Sequence, residues 1–382
     1  MSSPAQFEDR RLWPIREKVE AGERLSYDDG LSLYRSNDLL ALGYMANMVR
    51  ERMHGDVTYF NVNRHINPTD VCVASCRLCA FGKQKRDPNS YTMTLDQVWE
   101  TAGKGWNEAI TEFHIVGGLH PELNLEWFCQ MLRGLKERFP QVHLKAFTMV
   151  EIGYFARREK TTVRDVLLRL RDAGMDSLPG GGAEVFSERV RRIICDHKLT
   201  GDEWLDTART AHELGLSSNC TMLYGHIETH AQRVSHLRQL RELQDETRGF
   251  TGFIPFAFVP ETTSLAHVKA ASGFEELRNL AVSRIYLDNF EHITAYWISL
   301  GLPLAQISLN YGVDDLQGTI MEEKIFHMAG AKTPQRLTVE KLERAIREAG
   351  REPAQRDSYY RRIPPTIPRP SRALPPVELA CA

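Results

Sequence analysis

The chain has 382 residues, of which 42% are hydrophobic and 26% charged, enough apolar matter for one large or two modest domains. Its formal net charge is −2 with both signs mixed, which excludes a global field that would recruit nucleic acid. No apolar run approaches the ~20 residues of a bilayer span, and Met1 to Ala5 shows no cationic segment followed by an apolar one, so a soluble, cytoplasmic protein is expected.

Residues 1–56 are predicted to be helical, with a helix-spaced apolar stripe in Leu39, Leu42, Ala46, Val49 and Met53. They are expected to pack as a lid or buttress on the remainder of the chain. From residue 57 the pattern changes to short apolar stretches separated by longer amphipathic ones. Strands are predicted at 57–62, 112–116, 142–148, 177–178, 218–223, 252–258 and 306–309, with helical segments between them, for example 125–139, 163–173, 201–214 and 233–247. Such alternation implies βα units and a parallel sheet. No dinucleotide fingerprint is present, so closure into a (β/α) barrel over 57–330 is expected. A helical extension is expected over 331–360, with one helix at 338–348. The proline-rich stretch 361–382 cannot sustain helix or central strand and is expected to be disordered.

The cysteines carry the strongest signal. Cys72, Cys76 and Cys79 fall within eight residues, just after a strand-like stretch. A loop of this spacing can give three irons of a cubane cluster one sulfur each and leave the fourth iron open to a small molecule. A structural zinc site wants four closed ligands; His65 is available, but the chain has no second cysteine pair. A disulfide would leave one thiol over. Cys129, Cys195, Cys220 and Cys381 are scattered, as in a reduced interior.

In barrels, ligand chemistry collects at the C-terminal ends of the strands. The glycine-rich motifs sit there. Gly117-Gly118 lets backbone groups approach a ligand closely, or makes an ordinary tight turn. Gly180-Gly181-Gly182-Ala183-Glu184 offers an anion-tolerant nest and a carboxylate for a ribose hydroxyl or a cationic ligand, or else a loop with a capping glutamate. Asn219 and Thr221 share one strand face, a barrel lining by alternation. His226 stands just past that strand's end as a candidate acid or base, although a lone histidine is more often structural.

The three-cysteine run, the double glycine closing the next strand and the barrel alternation resemble the radical S-adenosylmethionine superfamily; Leu78 stands where an aromatic residue is usual before the third cysteine. A closer resemblance rests on Ile66-Asn67-Pro68-Thr69-Asp70-Val71-Cys72, residues 178–184 and 221–229, and Leu243-Gln244-Asp245-Glu246-Thr247. Gly252-Phe253-Ile254-Pro255-Phe256 and Gly318-Thr319-Ile320-Met321-Glu322-Glu323-Lys324 complete the set. It is similar to the futalosine-pathway branch of menaquinone biosynthesis, over roughly residues 25–360. Residues 143–148, 327–334 and 347–351 look most like the aminodeoxyfutalosine synthases. Asp70, Pro68 and Val259 stand where Asn, Tyr and His are expected.

The resemblance implies a [4Fe–4S] cluster on Cys72, Cys76 and Cys79, and S-adenosylmethionine as co-substrate near Gly117, Gly118, Gly181, Gly182, Glu184 and Asn219. The 5′-deoxyadenosyl radical is expected to add to the vinyl carbon of 3-[(1-carboxyvinyl)oxy]benzoate. Aryl migration from oxygen to carbon and loss of carbon dioxide then give 6-amino-6-deoxyfutalosine. An electron donor such as flavodoxin or ferredoxin is implied. The doubly anionic substrate needs cationic or N–H donors, and Arg64, His65 and His226 stand near strand ends. The alternatives are a dehypoxanthine futalosine cyclase, which starts by hydrogen abstraction, and a zinc-stapled barrel that binds a small metabolite.

Overall fold

The computed structural model describes residues 7–107 and 109–364. Its strands are β1 (Val57–Asn61), β2 (Asn63–Ile66), β3 (Glu112–Ile115), β4 (His143–Ala146), β5 (Ser218–Tyr224), β6 (Phe250–Ala257), β7 (Asp315–Gly318) and β8 (Glu352–Gln355). All ladders are parallel, in the orders β7-β1-β8, β2-β3-β4 and β5-β6. Parallel bridges Lys145↔Ser177, Leu178↔Ser218, Phe253↔Ile293 and Thr294↔Asp315 carry the pairing between these groups, and Arg64↔Met321 returns it to β2. The strand positions thus form a ring, the (β/α) barrel that the alternation predicts. Parallel strands need crossovers, and the helices Leu95–Gly103, Leu125–Arg138, Met149–Glu159, Gly201–Glu213 and His230–Thr247 supply them on the outside.

Most of these helices start at a threonine whose side chain takes the N–H three residues on. At Thr94/Gln97, Thr148/Glu151, Thr200/Glu203 and Thr229/Gln232 the capping box is complete. That local chemistry fixes where each crossover begins, and therefore where each strand's C-terminal loop must end.

Two strand expectations need correction. Residues 306–309 lie in and just beyond the helix Leu302–Ser308, whose first turn holds Pro303. The strand in that part of the ring is β7, where Asp315 and Gln317 flank a single apolar Leu316 and hide the signal. Residues 177–178 form bridges but no ladder. β8 escaped prediction because it holds Pro353; it pairs only with β1, an edge position where proline is tolerated.

The N-terminal helices Tyr27–Arg35 and Leu39–His54 pack against His230–Thr247 and Gly273–Tyr286, outside the barrel, as a buttress rather than a lid. Their buried face includes Ala41, Leu42, Met45, Ala46 and Arg50, while Met53 of the expected stripe is 39% exposed. Arg50 donates to the Val57 carbonyl at 2.7 Å and to Thr58 Oγ1 at 2.8 Å, tying the buttress to β1.

The C-terminal stretch turns beneath the barrel. Arg356 grips Asp315 at 2.5 Å, Ser358 Oγ donates to Glu112 Oε2 at 2.7 Å, and the Tyr360 ring stacks 3.5 Å from that of His292. Ordered chain continues past residue 360, since Ile363 N–H donates to the Gln355 carbonyl at 2.9 Å. Residues 365–382 of the proline-rich tail, Cys381 included, lie outside the described residues. No helix among the described residues is long and apolar enough to cross a membrane.

Candidate active site

A cavity of about 510 Å³ opens at the C-terminal ends of the strands, and the cysteine loop forms part of its wall. Backbone bonds hold that loop from several sides. Val73 N–H reaches the Leu119 carbonyl at 3.0 Å, Arg77 N–H that of Ile194 at 2.9 Å, and Cys72 N–H that of Lys83 at 2.8 Å. Gly118 permits the closest contact: a Cβ there would stand 2.2 Å from the Val71 carbonyl oxygen, so no other residue lets β3 meet the loop this way.

Cys72, Cys76 and Cys79 are free thiols, half-buried, and all three line the cavity. A Cβ built on Gly82 would lie 3.8 Å from both Cys72 Sγ and Cys79 Sγ, so those sulfurs share one small space. Gly82 N–H also donates to Cys79 Sγ at 3.3 Å. Burial pushes the Cys72 thiol up and the Cys76 thiol to about 12. Neutral thiols are what a buried loop favours until a bound cation draws off the protons.

A single zinc ion would require sulfurs about 3.8 Å apart, from a tetrahedron with Zn–S near 2.3 Å. Among the described residues, only His54, His292 and Asp314 place three such ligand atoms within 4.8 Å of one another. A structural zinc site wants four closed ligands, whereas three thiols on one cavity wall suit a cluster that takes one sulfur on each of three irons. Among the described residues no fourth cysteine lines the cavity. The His54/His292/Asp314 set is a structural knot: His54 Nε2 meets the Glu291 carbonyl at 2.8 Å, His292 Nδ1 meets Asp314 at 2.6 Å, and Arg284 occupies the other Asp314 oxygen at 2.5 Å.

Gly117, Gly118, Gly181, Gly182, Glu184 and Asn219 all line this same cavity. Trp204 Nε1 donates to the Gly181 carbonyl at 3.2 Å and Arg191 to the Ala183 carbonyl at 2.6 Å, so the glycine loop is braced from behind. Glu184 has a left-handed φ of 48° and meets Lys198 Nζ at 2.6 Å. Burial alone would raise its carboxyl; the ammonium overrides burial and holds it below its ordinary value. Thr221 Oγ1 donates to the Gly180 carbonyl at 2.8 Å, and Asn219 Nδ2 to Thr251 Oγ1 at 3.1 Å.

The three candidate carboxylate partners separate cleanly. His226 is not among the residues that line the cavity. Its Nε2 donates to the Leu223 carbonyl at 3.0 Å, its Nδ1 lies 2.9 Å from Glu228, and its side chain is fully buried. Arg64 turns outward onto the carbonyls of Thr101 and Ala102, at 2.6 and 3.0 Å. His65 alone faces the cavity.

Several lining residues were not foreseen. Glu151 accepts Gly117 N–H at 3.0 Å with one oxygen and caps the helix Met149–Glu159 with the other; burial pushes its carboxyl up to about 7. Phe256, Tyr296 and Phe326 form an aromatic wall, with ring centroids 4.8, 5.4 and 5.2 Å apart. His114, Lys198, Gln317 and Glu323 are also part of the polar lining. Alternation along Glu112-Phe113-His114-Ile115 announces His114; Lys198 and Gln317 carry no local signal. Val259, which replaces an expected histidine, also lines the cavity.

Comparison with known proteins agrees with this arrangement. Residues 66–240 match the Radical SAM superfamily and residues 247–367 the CofH/MqnC C-terminal region. The aminodeoxyfutalosine synthase of Thermus thermophilus is 47% identical over 359 residues, 93% of this chain and 96% of that one. The cyclic dehypoxanthine futalosine synthase of Streptomyces coelicolor is 37% identical over 357 residues, 92% of this chain and 89% of that one. In three dimensions the crystal structure of methylornithine synthase superposes with a TM-score of 0.72, at 18% identity, over 89% of this chain and 97% of its own. The chain belongs to the radical SAM superfamily, in the group that joins the radical SAM domain to a CofH/MqnC C-terminal region.

Proposed function

We propose that the chain performs the aminodeoxyfutalosine synthase reaction. It joins the 5′-deoxyadenosyl group of S-adenosylmethionine to the vinyl carbon of 3-[(1-carboxyvinyl)oxy]benzoate, and aryl migration and decarboxylation yield 6-amino-6-deoxyfutalosine. The carrying observation is one cavity that joins three cysteines, a braced glycine loop and an aromatic wall. Near-complete coverage of a synthase at 47% identity, against 37% for a cyclase, supports the synthase over the cyclase.

When bound, a [4Fe–4S] cluster supplies the electron that cleaves the sulfonium of S-adenosylmethionine. Cys72, Cys76 and Cys79 would hold three of its irons. Gly181, Gly182, Glu184 and Asn219 hold the co-substrate, with the Glu184 carboxylate kept ionised by Lys198 and available to a ribose hydroxyl. Gly117 and Gly118 present bare backbone beside the cysteine loop. The aromatic wall and the enclosed barrel keep water and hydrogen donors from the alkene while holding it against the adenosyl carbon. A small electron carrier such as flavodoxin or ferredoxin delivers the electron, and the reaction takes place in the cytoplasm.

Anaerobic reconstitution followed by incubation with both substrates and a reductant tests this. The expected product is 6-amino-6-deoxyfutalosine, with carbon dioxide and methionine. Cys72→Ala, Cys76→Ala and Cys79→Ala each abolish its formation, and Cys129→Ala does not. Reconstituted protein that holds one zinc and no labile sulfide contradicts the assignment.

A further inference from the structure

The cavity floor holds a histidine pair with no role so far. His65 and His114 are register partners on β2 and β3, and their rings stack 4.6 Å apart with planes 17° from parallel. Both line the cavity. His65 is 6% exposed, and its Nε2 is buried without a hydrogen-bond partner; His114 Nδ1 is in the same condition. Gln317, 5% exposed, adds a carboxamide to the same lining, whose NH2 group can donate to an anion while its unpartnered Oε1 can accept only from a donor such as a protonated imidazole. Its backbone sits at φ 63°, held by its N–H to Asp315 Oδ1 at 2.7 Å. Strained backbone and unsatisfied buried polar atoms together mark a place where a ligand completes the bonding.

The charges narrow the ligand. Among the described residues, Lys198 is the one lysine or arginine that lines the cavity, where Glu184 already neutralises it, and Arg64 faces away. An anionic group on the floor therefore meets no free guanidinium or ammonium; it meets the two imidazoles. Burial keeps both rings neutral, His65 pushed down to about 3 and His114 to about 4. The groups that face them are each other, Glu323, Glu112 and Lys145. Glu112 Oε1 stands 4.0 Å from His114 Nδ1 without a partner of its own, while Oε2 takes Lys145 at 2.7 Å and Ser358 at 2.7 Å. A proton added to His114 thus has a carboxylate behind it at Nδ1 and leaves Nε2–H to donate forward.

We propose that the stacked His65–His114 pair, with Gln317, binds the ring carboxylate of the aryl substrate at the barrel floor and takes up a proton as it does so. This rests on the synthase reaction above for the identity of the aryl acid. His114 lies three residues before Gly117, about 10 Å along an extended strand. A benzoate anchored there, with its ring against Phe256, Tyr296 and Phe326, directs a meta ether toward the cysteine loop. The other substrate carboxylate, on the vinyl carbon, then lies near the co-substrate.

Equilibrium binding to holoenzyme saturated with S-adenosylmethionine tests this with two unreactive probes, 3-ethoxybenzoate and ethoxybenzene. The wild type should prefer the acid by about 10- to 100-fold, as a hydrogen bond to a charged group implies. His65→Asn and His114→Asn should each shrink that preference toward unity while ethoxybenzene binding holds. Calorimetry in buffers of different ionisation heat should show proton uptake with the acid in the wild type and less in His114→Asn. A wild type without the preference, or variants that keep it, overturns the anchor. Gln317→Leu, which leaves the imidazoles in place, should lower acid affinity about 10-fold, and unchanged affinity removes Gln317 from it. Turnover is scored separately: a wild type that prefers the acid yet forms no 6-amino-6-deoxyfutalosine keeps the anchor and contradicts the synthase assignment.

Discussion

Glu184 and His226 show how differently two motif residues can end. Both flank glycines at strand ends, and both carry acid–base side chains. Glu184 lines the cavity from a left-handed backbone position, and Lys198 keeps it charged at 2.6 Å. His226 is consumed by Leu223 and Glu228. Glu184→Gln keeps the shape and removes the charge, and should weaken S-adenosylmethionine binding about tenfold or more with iron and sulfide content unchanged. It also strands a buried ammonium, a loss of about 3–5 kcal/mol in stability. The double variant Glu184→Gln/Lys198→Met should therefore recover melting temperature but not co-substrate affinity. Recovery of both would reduce Glu184 to a structural partner of Lys198.

Residue by residue, legibility followed locality. The cysteine triad and the glycine loops encode their geometry within a few positions, so spacing alone singles them out as candidates. His65, His114 and Gln317 meet only when the barrel closes. Arg64 and His65 are adjacent, and strand parity decides which one faces in. Strand prediction stopped at residue 62, short of β2, so that parity was not fixed by the sequence pattern.

At the scale of elements, the short helix Ile325–Ala329 carries Phe326 of the aromatic wall and has no side-chain cap at Lys324. Glu323 takes its place: its carboxylate accepts the N–H groups of Phe326 at 2.9 Å and His327 at 3.2 Å, and pairs with His327 Nδ1 at 2.8 Å. The hydrogen bond from Glu323 raises the His327 pKa above its ordinary value. A raised imidazole stabilises the folded helix fully below the ordinary range, about 6.5, and that contribution is lost as pH rises through the folded value. Amide exchange over 324–330, corrected for intrinsic rates, should accelerate as pH climbs from 6 toward 8.5, and Glu323→Gln should flatten the dependence. A flat profile in the wild type would contradict the pairing. The long crossover helices over 125–138, 201–213 and 230–247 are readable in the sequence. β7 was not, because a strand whose inward residues are polar and whose outward face offers one leucine has no apolar run to detect.

For the whole molecule, the barrel is closed at its lower end by the stretch 356–363, which binds Asp315, Glu112 and His292. Removal of residues 365–382 should leave turnover and melting temperature nearly unchanged, whereas truncation after Gln355 should lower the melting temperature by several degrees, because it leaves Asp315 without its guanidinium. Equal tolerance of both truncations would show that the plug contributes nothing.

The central claim is that the adenosyl group becomes part of the product. Label placed in the adenosyl ribose of S-adenosylmethionine follows it directly through turnover with 3-[(1-carboxyvinyl)oxy]benzoate and a reductant. The label should pass into 6-amino-6-deoxyfutalosine in step with methionine release, with little free 5′-deoxyadenosine. Label recovered as free 5′-deoxyadenosine, one equivalent per turnover, would mean hydrogen abstraction and would contradict the addition reaction.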